Sequence, residues 1–541
     1  MRRLFMAFLF LLTGFAASSQ QSIQRPKLMV GIIVDQMRWD YLYRFYDRYA
    51  SNGGFKRMLN QGFTCENTLI PFAPTVTACG HSSIYSGTVP AISGITGNYW
   101  WDREQQRTVY CTEDKSVNTV GSSSAAGKQS PKNMLVTTIC DELRLATNFK
   151  SKVIGVAIKD RGGILTAGHS ANAAYWYDNS VGNWISSTYY MTELPKWVKD
   201  FNNQKLVDKY YQQGWNLLYP ASTYINSTTD EKSYEAKALG DNKFPYDSLK
   251  KYIGKDYGKI TTTPMGNTLT LEFAKSAVVA EQLGADNITD FLAVSFSSPD
   301  YIGHSYGPNS IETEDGFLRL DKELGNLLDF LDSKVGKGQY TVFLSADHGV
   351  AHTPEFMLEN KLPGGRVYMN TVMSNFNKTL AEKYGIKNII VADDNYQLHL
   401  NHPSLDSAKV DKEEVIDWLV KKLYAEPGID RAFAMENLNE VPLPATIRKM
   451  LNNGYYPRRN GEIQVILKPG YIDAWSNTGT THGLWNPYDT HIPLLWYGWG
   501  IKQGKTNRET YMTDIAPTIA ALLHIQMPSG SVGTVIPELL K

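Results

Sequence analysis

Thr341-Val342-Phe343-Leu344-Ser345-Ala346-Asp347-His348-Gly349 is the stretch whose reading decides the fold. A short apolar, β-branched run predicts a buried strand, and the Asp-His pair at its C-terminal end predicts two polar side chains projecting from a fixed position. The glycine permits a close neighbour. Leu28-Met29-Val30-Gly31-Ile32-Ile33-Val34-Asp35 reads as a second buried strand ending in an acid. Phe291-Leu292-Ala293-Val294-Ser295-Phe296 reads as a third, ending at Asp300, and Lys152 to Ile158 as a fourth.

Helical patterns fall between these strands. Asp40 to about Gly62 reads as two helical pieces broken at Asn52-Gly53-Gly54. Leu135, Ile139 and Leu143 share one helix face, as do Leu269, Phe273, Ala277 and Ala280, and Phe317, Leu320, Leu324, Leu327 and Leu331. The alternation predicts the α/β class, with a mostly parallel sheet sandwiched by helices. Two regions break the rhythm. Residues 170–260 are dense in Trp, Tyr and Asn, and residues 354–475 carry their own helix (Val415, Trp418, Leu419, Leu423) and a strand at 463–467. Both are expected as inserted cap regions on the C-terminal side of the sheet. The core resumes at His491 to Gly498, and a last helix is expected with Thr513 as its N-cap.

The 541 residues carry 54 Lys+Arg against 54 Asp+Glu, a balance that argues against a nucleic-acid binder working through a basic face. Arg2-Arg3, the apolar run Leu4 to Leu12 and the small residues Ala16-Ala17-Ser18-Ser19 read as a cleaved secretory signal over residues 1–20. That apolar run is shorter than the roughly 20 residues a membrane span needs, so no stable membrane anchor is expected. Residues 21–541 are then expected as one catalytic domain, exported and monomeric. Cys65, Cys79, Cys111 and Cys140 are compatible with one or two disulfides in an oxidising compartment, or with a free thiol at Cys79.

Three core strands lead to aspartates, Asp35, Asp300 and Asp347, and a parallel sheet puts its C-terminal strand ends on one edge, where α/β folds place their sites. His348 adjoins its Asp, and Asp300-Tyr301-Ile302-Gly303-His304 sets a pair one helical turn apart. His482, in Gly479-Thr480-Thr481-His482-Gly483, completes the set, although His491 competes by spacing alone. Six carboxylate and imidazole ligands suit two Zn²⁺ ions with open positions, which would stabilise the attacking and leaving oxygens of an in-line displacement.

A nucleophile is expected in Ala73-Pro74-Thr75-Val76-Thr77-Ala78-Cys79-Gly80-His81. Pro74 imposes an extended entry, and Thr77 to Tyr85 reads as a helix closing before Gly87. Thr77 then lies at a helix N-terminus, which favours an anion. Locally, Thr75 or Thr77 reads equally as a plain cap; the metal-type set favours Thr77 as nucleophile. Lys159-Asp160-Arg161 is expected in extended chain, with Lys159 and Arg161 projecting to one side toward an oxyanion. Asn98, in Gly97-Asn98-Tyr99-Trp100, is a turn residue or a neutral phosphate donor.

The set Asp35, Thr77, Asn98, Lys159-Asp160-Arg161, Asp300-x-x-x-His304, Asp347-His348 and His482-Gly483 resembles the alkaline phosphatase superfamily, and within it the bacterial periplasmic, phosphate-irrepressible enzymes with a threonine nucleophile. The motifs run from about residue 30 to 500. The resemblance implies an alkaline phosphatase-like fold and one zinc on Asp35, Asp347 and His348. It implies a second zinc on Asp300, His304 and His482. Thr77 would form a phosphothreonine, and Asn98, Lys159 and Arg161 would bind phosphate monoesters, side chains replacing the third metal of other alkaline phosphatases. The nearest rival is a nucleotide pyrophosphatase or phosphodiesterase on the same two zincs. A sulfatase does not fit, because Cys79-Gly80-His81 is not a Cys-x-Pro-x-Arg context. A non-catalytic glycan binder would not require the complete ligand set and nucleophile.

Overall fold

Eleven strands form one central sheet in the computed structural model, which describes residues 23–540. The expected export signal therefore lies outside the described residues. In chain order the strands are β1 (Leu28–Val34), β2 (Phe63–Leu69), β3 (Thr119–Val120), β4 (Val153–Ala157), β5 (Ala173–Asp178), β6 (Asn183–Ser187), β7 (Asp290–Phe296), β8 (Tyr340–Ser345), β9 (His491–Ile492), β10 (Leu494–Gly498) and β11 (Gly504–Tyr511). Across the sheet they run β9-β2-β10-β8-β1-β7-β4-β5-β6-β3, with β11 added on β2. The block β8-β1-β7-β4-β5 is wholly parallel. Every residue of β1, β4, β7 and β8 is buried, which is why these strands are continuous apolar runs rather than alternating ones.

Register settles where the site forms. Ile33 of β1 pairs with Ser345 of β8, and Val34 pairs with Phe296 of β7, so the chain leaves three neighbouring strands at one level. The first helix after β2, α1 (Thr77–Ser86), lies against this block. Gly31 lets it approach: a Cβ there would lie 2.1 Å from the Tyr85 hydroxyl.

Several expectations need correction. Residues 173–187 are not part of a cap; as β5 and β6 they extend the sheet, because Ala173–Asp178 is a wholly buried strand. Residues 196–262 leave the sheet as two short helices and 3-10 turns. The helix expected to include Leu135 begins at Ile139, where Thr138 and Asp141 form a reciprocal capping box, and Leu135 is 52% exposed. Thr513 sits in a 3-10 turn, and Asp514 precedes the final helix Ile515–Leu523. The 40–62 segment is a helical turn at Tyr41–Arg44, a 3-10 turn at Tyr46–Arg48 and a helix at Gly54–Gln61. All four cysteines are buried and free. Between residues 354 and 475 lies a separate four-stranded sheet with its own apolar cluster, including Leu398, Leu419 and Val465.

Candidate active site

Asp35 follows β1 directly, and Asp347 follows β8 by two residues. Asp300 is not a strand-end residue; it lies in the first turn of α3 (Ser298–Tyr306), with His304 one turn on. That position favours a carboxylate, because free N–H groups and the helix dipole point toward it. Lys159 is not in extended chain either. It precedes α2 (Asp160–Ala167), and Arg161 lies in that helix's first turn. Here convergence comes from a helix start rather than from strand alternation.

All ten expected side chains meet or approach one another. Asp300, His304 and His482 offer ligand atoms within 4.8 Å of one another, as do Asp35, Asp300 and His348. His348 Nε2 lies 3.3 Å from Asp347 Oδ2 and 3.7 Å from Asp35 Oδ1. Each ligand-type histidine has its Nδ1 against a backbone carbonyl: His348 with Gly349 O at 3.0 Å, His304 with Thr480 O at 2.8 Å and His482 with Thr75 O at 2.7 Å. A carbonyl only accepts, so Nδ1 carries the proton and each Nε2 lone pair faces the carboxylates, the arrangement a metal-binding imidazole requires. Asp35 Oδ1 and Asp347 Oδ2 are buried without any hydrogen-bond partner among the described residues. Two unpaired buried carboxylate oxygens are costly unless a cation lies between them, so the donor set fits divalent metal ions.

The protonation pattern agrees at His348, whereas the neighbouring Asp300 carboxylate raises the pKa of His304 against its burial. Burial pushes His348 down to about 3, keeping it neutral. Burial would raise Asp300, but His304 and Lys159 outweigh it and hold the carboxyl well below its usual range. Burial also opposes charge on Lys159, yet Asp300 and Asp35 hold its pKa above the ordinary value, so it is a cation. Lys159 Nζ lies 2.8 Å from Asp35 Oδ2 and 2.5 Å from Asp300 Oδ2, bridging carboxylates from both ligand groups.

Thr77 opens α1, and Gly80 one turn later lets the helix press onto the end of β8. A Cβ at Gly80 would lie 2.3 Å from the Asp347 carbonyl oxygen. Lys159 Nζ and Arg161 Nη2 each lie 3.4 Å from Thr77 Oγ1, and His348 Nε2 lies 3.5 Å away. Asn98 Oδ1 accepts the Ala78 N–H at 3.0 Å, which orients its amide at the same helix start. Thr75, the competing threonine, donates to Leu484 O at 2.8 Å and points elsewhere. His491, the competing histidine, has Nε2 3.0 Å from the Glu66 carbonyl and stacks on Trp39.

Three supporting residues escaped the sequence reading. Gln36, buried and with φ 67, donates its backbone N–H to Asp347 Oδ1 at 3.0 Å and its amide to Asp300 Oδ1 at 2.6 Å. Nothing in its residue type announces that role. His81 is one turn from Thr77, a spacing that was available, and its Nδ1 lies 3.3 Å from Asp347 Oδ2. Tyr110 donates to Asp160 and accepts from Arg161 Nη1 at 3.1 Å, steadying the arginine.

Residues 29–488 match the type I phosphodiesterase / nucleotide pyrophosphatase family. The chain belongs to this family, a branch of the alkaline phosphatase superfamily. Alkaline phosphatase PhoV of Synechococcus elongatus is 54% identical over 96% of this chain and 94% of its own. Alkaline phosphatase PafA of Elizabethkingia meningoseptica is 49% identical over 97% of this chain and 96% of its own. A wild-type PafA crystal structure superimposes with a TM-score of 0.94 at 48% identity, covering 96% of this chain and 100% of that one. A Myroides odoratus protein, 52% identical over 98% of this chain and 97% of its own, bears the name calcium-transporting ATPase. Among the described residues here, no helix is long and apolar enough to cross a membrane.

Proposed function

We propose that this chain is an exported, two-zinc alkaline phosphatase that hydrolyses phosphate monoesters through a phosphothreonine at Thr77. The observation that carries the reading is the convergence on one hydroxyl: Lys159, Arg161 and His348 all lie within 3.5 Å of Thr77 Oγ1.

Thr77 Oγ1 attacks phosphorus in line with the departing alcohol. The Oγ1–P bond forms as the P–O bond to the leaving group breaks; water then cleaves the phosphothreonine and releases phosphate. Lys159 and Arg161 stabilise the non-bridging oxygens, Arg161 by its planar fork and Lys159 as a point charge. Asn98 adds a neutral donor, because its carbonyl is already engaged by Ala78. Zinc ions bound by Asp35, Asp347 and His348, and by Asp300, His304 and His482, would supply Lewis-acid stabilisation to the attacking and departing oxygens. Three imidazoles among six donors favour zinc over magnesium or calcium.

The family also contains phosphodiesterases. A monoester dianion carries more charge than a diester, and two fixed cations beside Asn98 match the monoester. Export to the periplasm rests on residues 1–20, and the enzyme acts as a monomer. Turnover of an aryl phosphate monoester and an aryl phosphate diester by the zinc-loaded protein tests the reading; faster turnover of the diester overturns it.

A further inference from the structure

The phosphate end of the site is cationic, whereas the space beyond it is not. A cavity of about 250 Å³ is lined by His304 and His482 of the ligand groups and by Asn98, and much of its remaining wall comes from the inserted region. That wall presents Asp393, Asp394 and Asp473, together with Trp475 and Tyr99, and among the described residues no lysine or arginine lines it. Trp475 is 75% exposed and Tyr99 50% exposed, large aromatic surfaces that the fold leaves uncovered beside a catalytic cavity. Asp394 Oδ2 is buried without a partner.

The wall is tied to the site. Asn395 Nδ2 donates to Tyr99 O at 3.0 Å, and Tyr396 Oη donates to His482 O at 3.3 Å. Burial and then repulsion from Asp393 push Asp394 and Asp473 up to about 6, so both are ionised at alkaline pH.

From this arrangement we infer that the cavity is a leaving-group subsite selecting phosphate monoesters whose alcohol carries an ammonium group, and disfavouring those whose alcohol carries a second anion. The inference rests on the monoester reading above. An ammonium a few atoms from the ester oxygen meets three carboxylates and the aromatic faces of Trp475 and Tyr99, which attract cations. A carboxylate on the same alcohol meets like charge.

Three esters test it: 2-(trimethylammonio)ethyl phosphate, its neutral isostere 3,3-dimethylbutyl phosphate, and a carboxyalkyl phosphate of equal length. An ammonium also improves a leaving group intrinsically, so the ammonium-to-isostere ratio of kcat/KM is read against variants. Asp393→Asn combined with Asp473→Asn should lower that ratio about tenfold, the scale of a few partly screened charge pairs. Trp475→Ala, at an exposed position that leaves folding intact, should lower it as well. Raising salt from about 0.01 M to about 1 M should compress the wild-type order, since exposed charges are then screened. A ratio unchanged in both variants overturns the subsite. If none of the esters nor an aryl phosphate is hydrolysed, the monoester reading itself fails; hydrolysis of all with an unchanged ratio removes the subsite alone.

Discussion

Thr77 Oγ1 lies 3.5 Å from His348 Nε2 across 271 residues of sequence. The imidazole's other nitrogen is held by Gly349 O at 3.0 Å, so the face turned to the hydroxyl is fixed by the backbone. The contact joins the start of α1 to the end of β8, the stretch on which the fold reading turned. A threonine hydroxyl is a weak nucleophile unless its proton is withdrawn, so the surroundings of this hydroxyl bear directly on the role proposed for Thr77.

Thr77→Ala should therefore retain its bound metals while losing turnover of an aryl phosphate roughly a thousandfold or more. Elemental analysis beside steady-state kinetics checks both halves. Full turnover in the variant would remove Thr77 from the mechanism.

Lys159→Ala combined with Arg161→Ala should lower kcat/KM for monoesters about a hundredfold or more and for diesters far less, because the lost charge is matched to the dianion. Equal losses on the two substrates would contradict the assignment of these cations to the extra phosphate charge.

Gln36 links the two ligand groups through Asp347 and Asp300. Gln36→Ala should weaken metal retention by about 10- to 100-fold, measured by competition with a chelator, as expected when a partner orienting metal ligands is removed. Unchanged retention would reduce Gln36 to a packing residue.

Glu323 supplies a pH test remote from the site. Burial pushes its carboxyl from 4.5 up to about 8, although it accepts the Thr268 hydroxyl. An acid that holds its proton more tightly when folded adds stability below its unfolded pKa, and that support is lost as pH rises through about 8. Glu323→Gln should thus gain Tm relative to wild type between about pH 6 and about pH 9, by roughly 2 °C. A Tm difference that stays constant across this range would show that Glu323 carries no such shift.

Much of the site was legible because its ligands sit at strand ends and short helical spacings, which are local patterns. The buried runs before Asp35 and Asp347, the Asp300/His304 spacing and the helix opening at Thr77 are all written within a few residues of one another. The misplacements were also local. Lys159 and Arg161 converge through a helix start, and residues 173–187 are sheet edge; neither feature has a periodicity that separates it from its alternative. The sequence alone determined the alternation of strand and helix and the kinds of side chain available as ligands and nucleophile, since each depends on residue type at short range. Only the tertiary structure decided that Gln36 bridges the two ligand groups and that residues 393–396 and 473–475 wall the cavity beside them. It also decided which of Thr75 and Thr77, and which of His482 and His491, faces the site. Those outcomes depend on β-strand register and on the docking of segments hundreds of residues apart, which no short stretch of chain encodes.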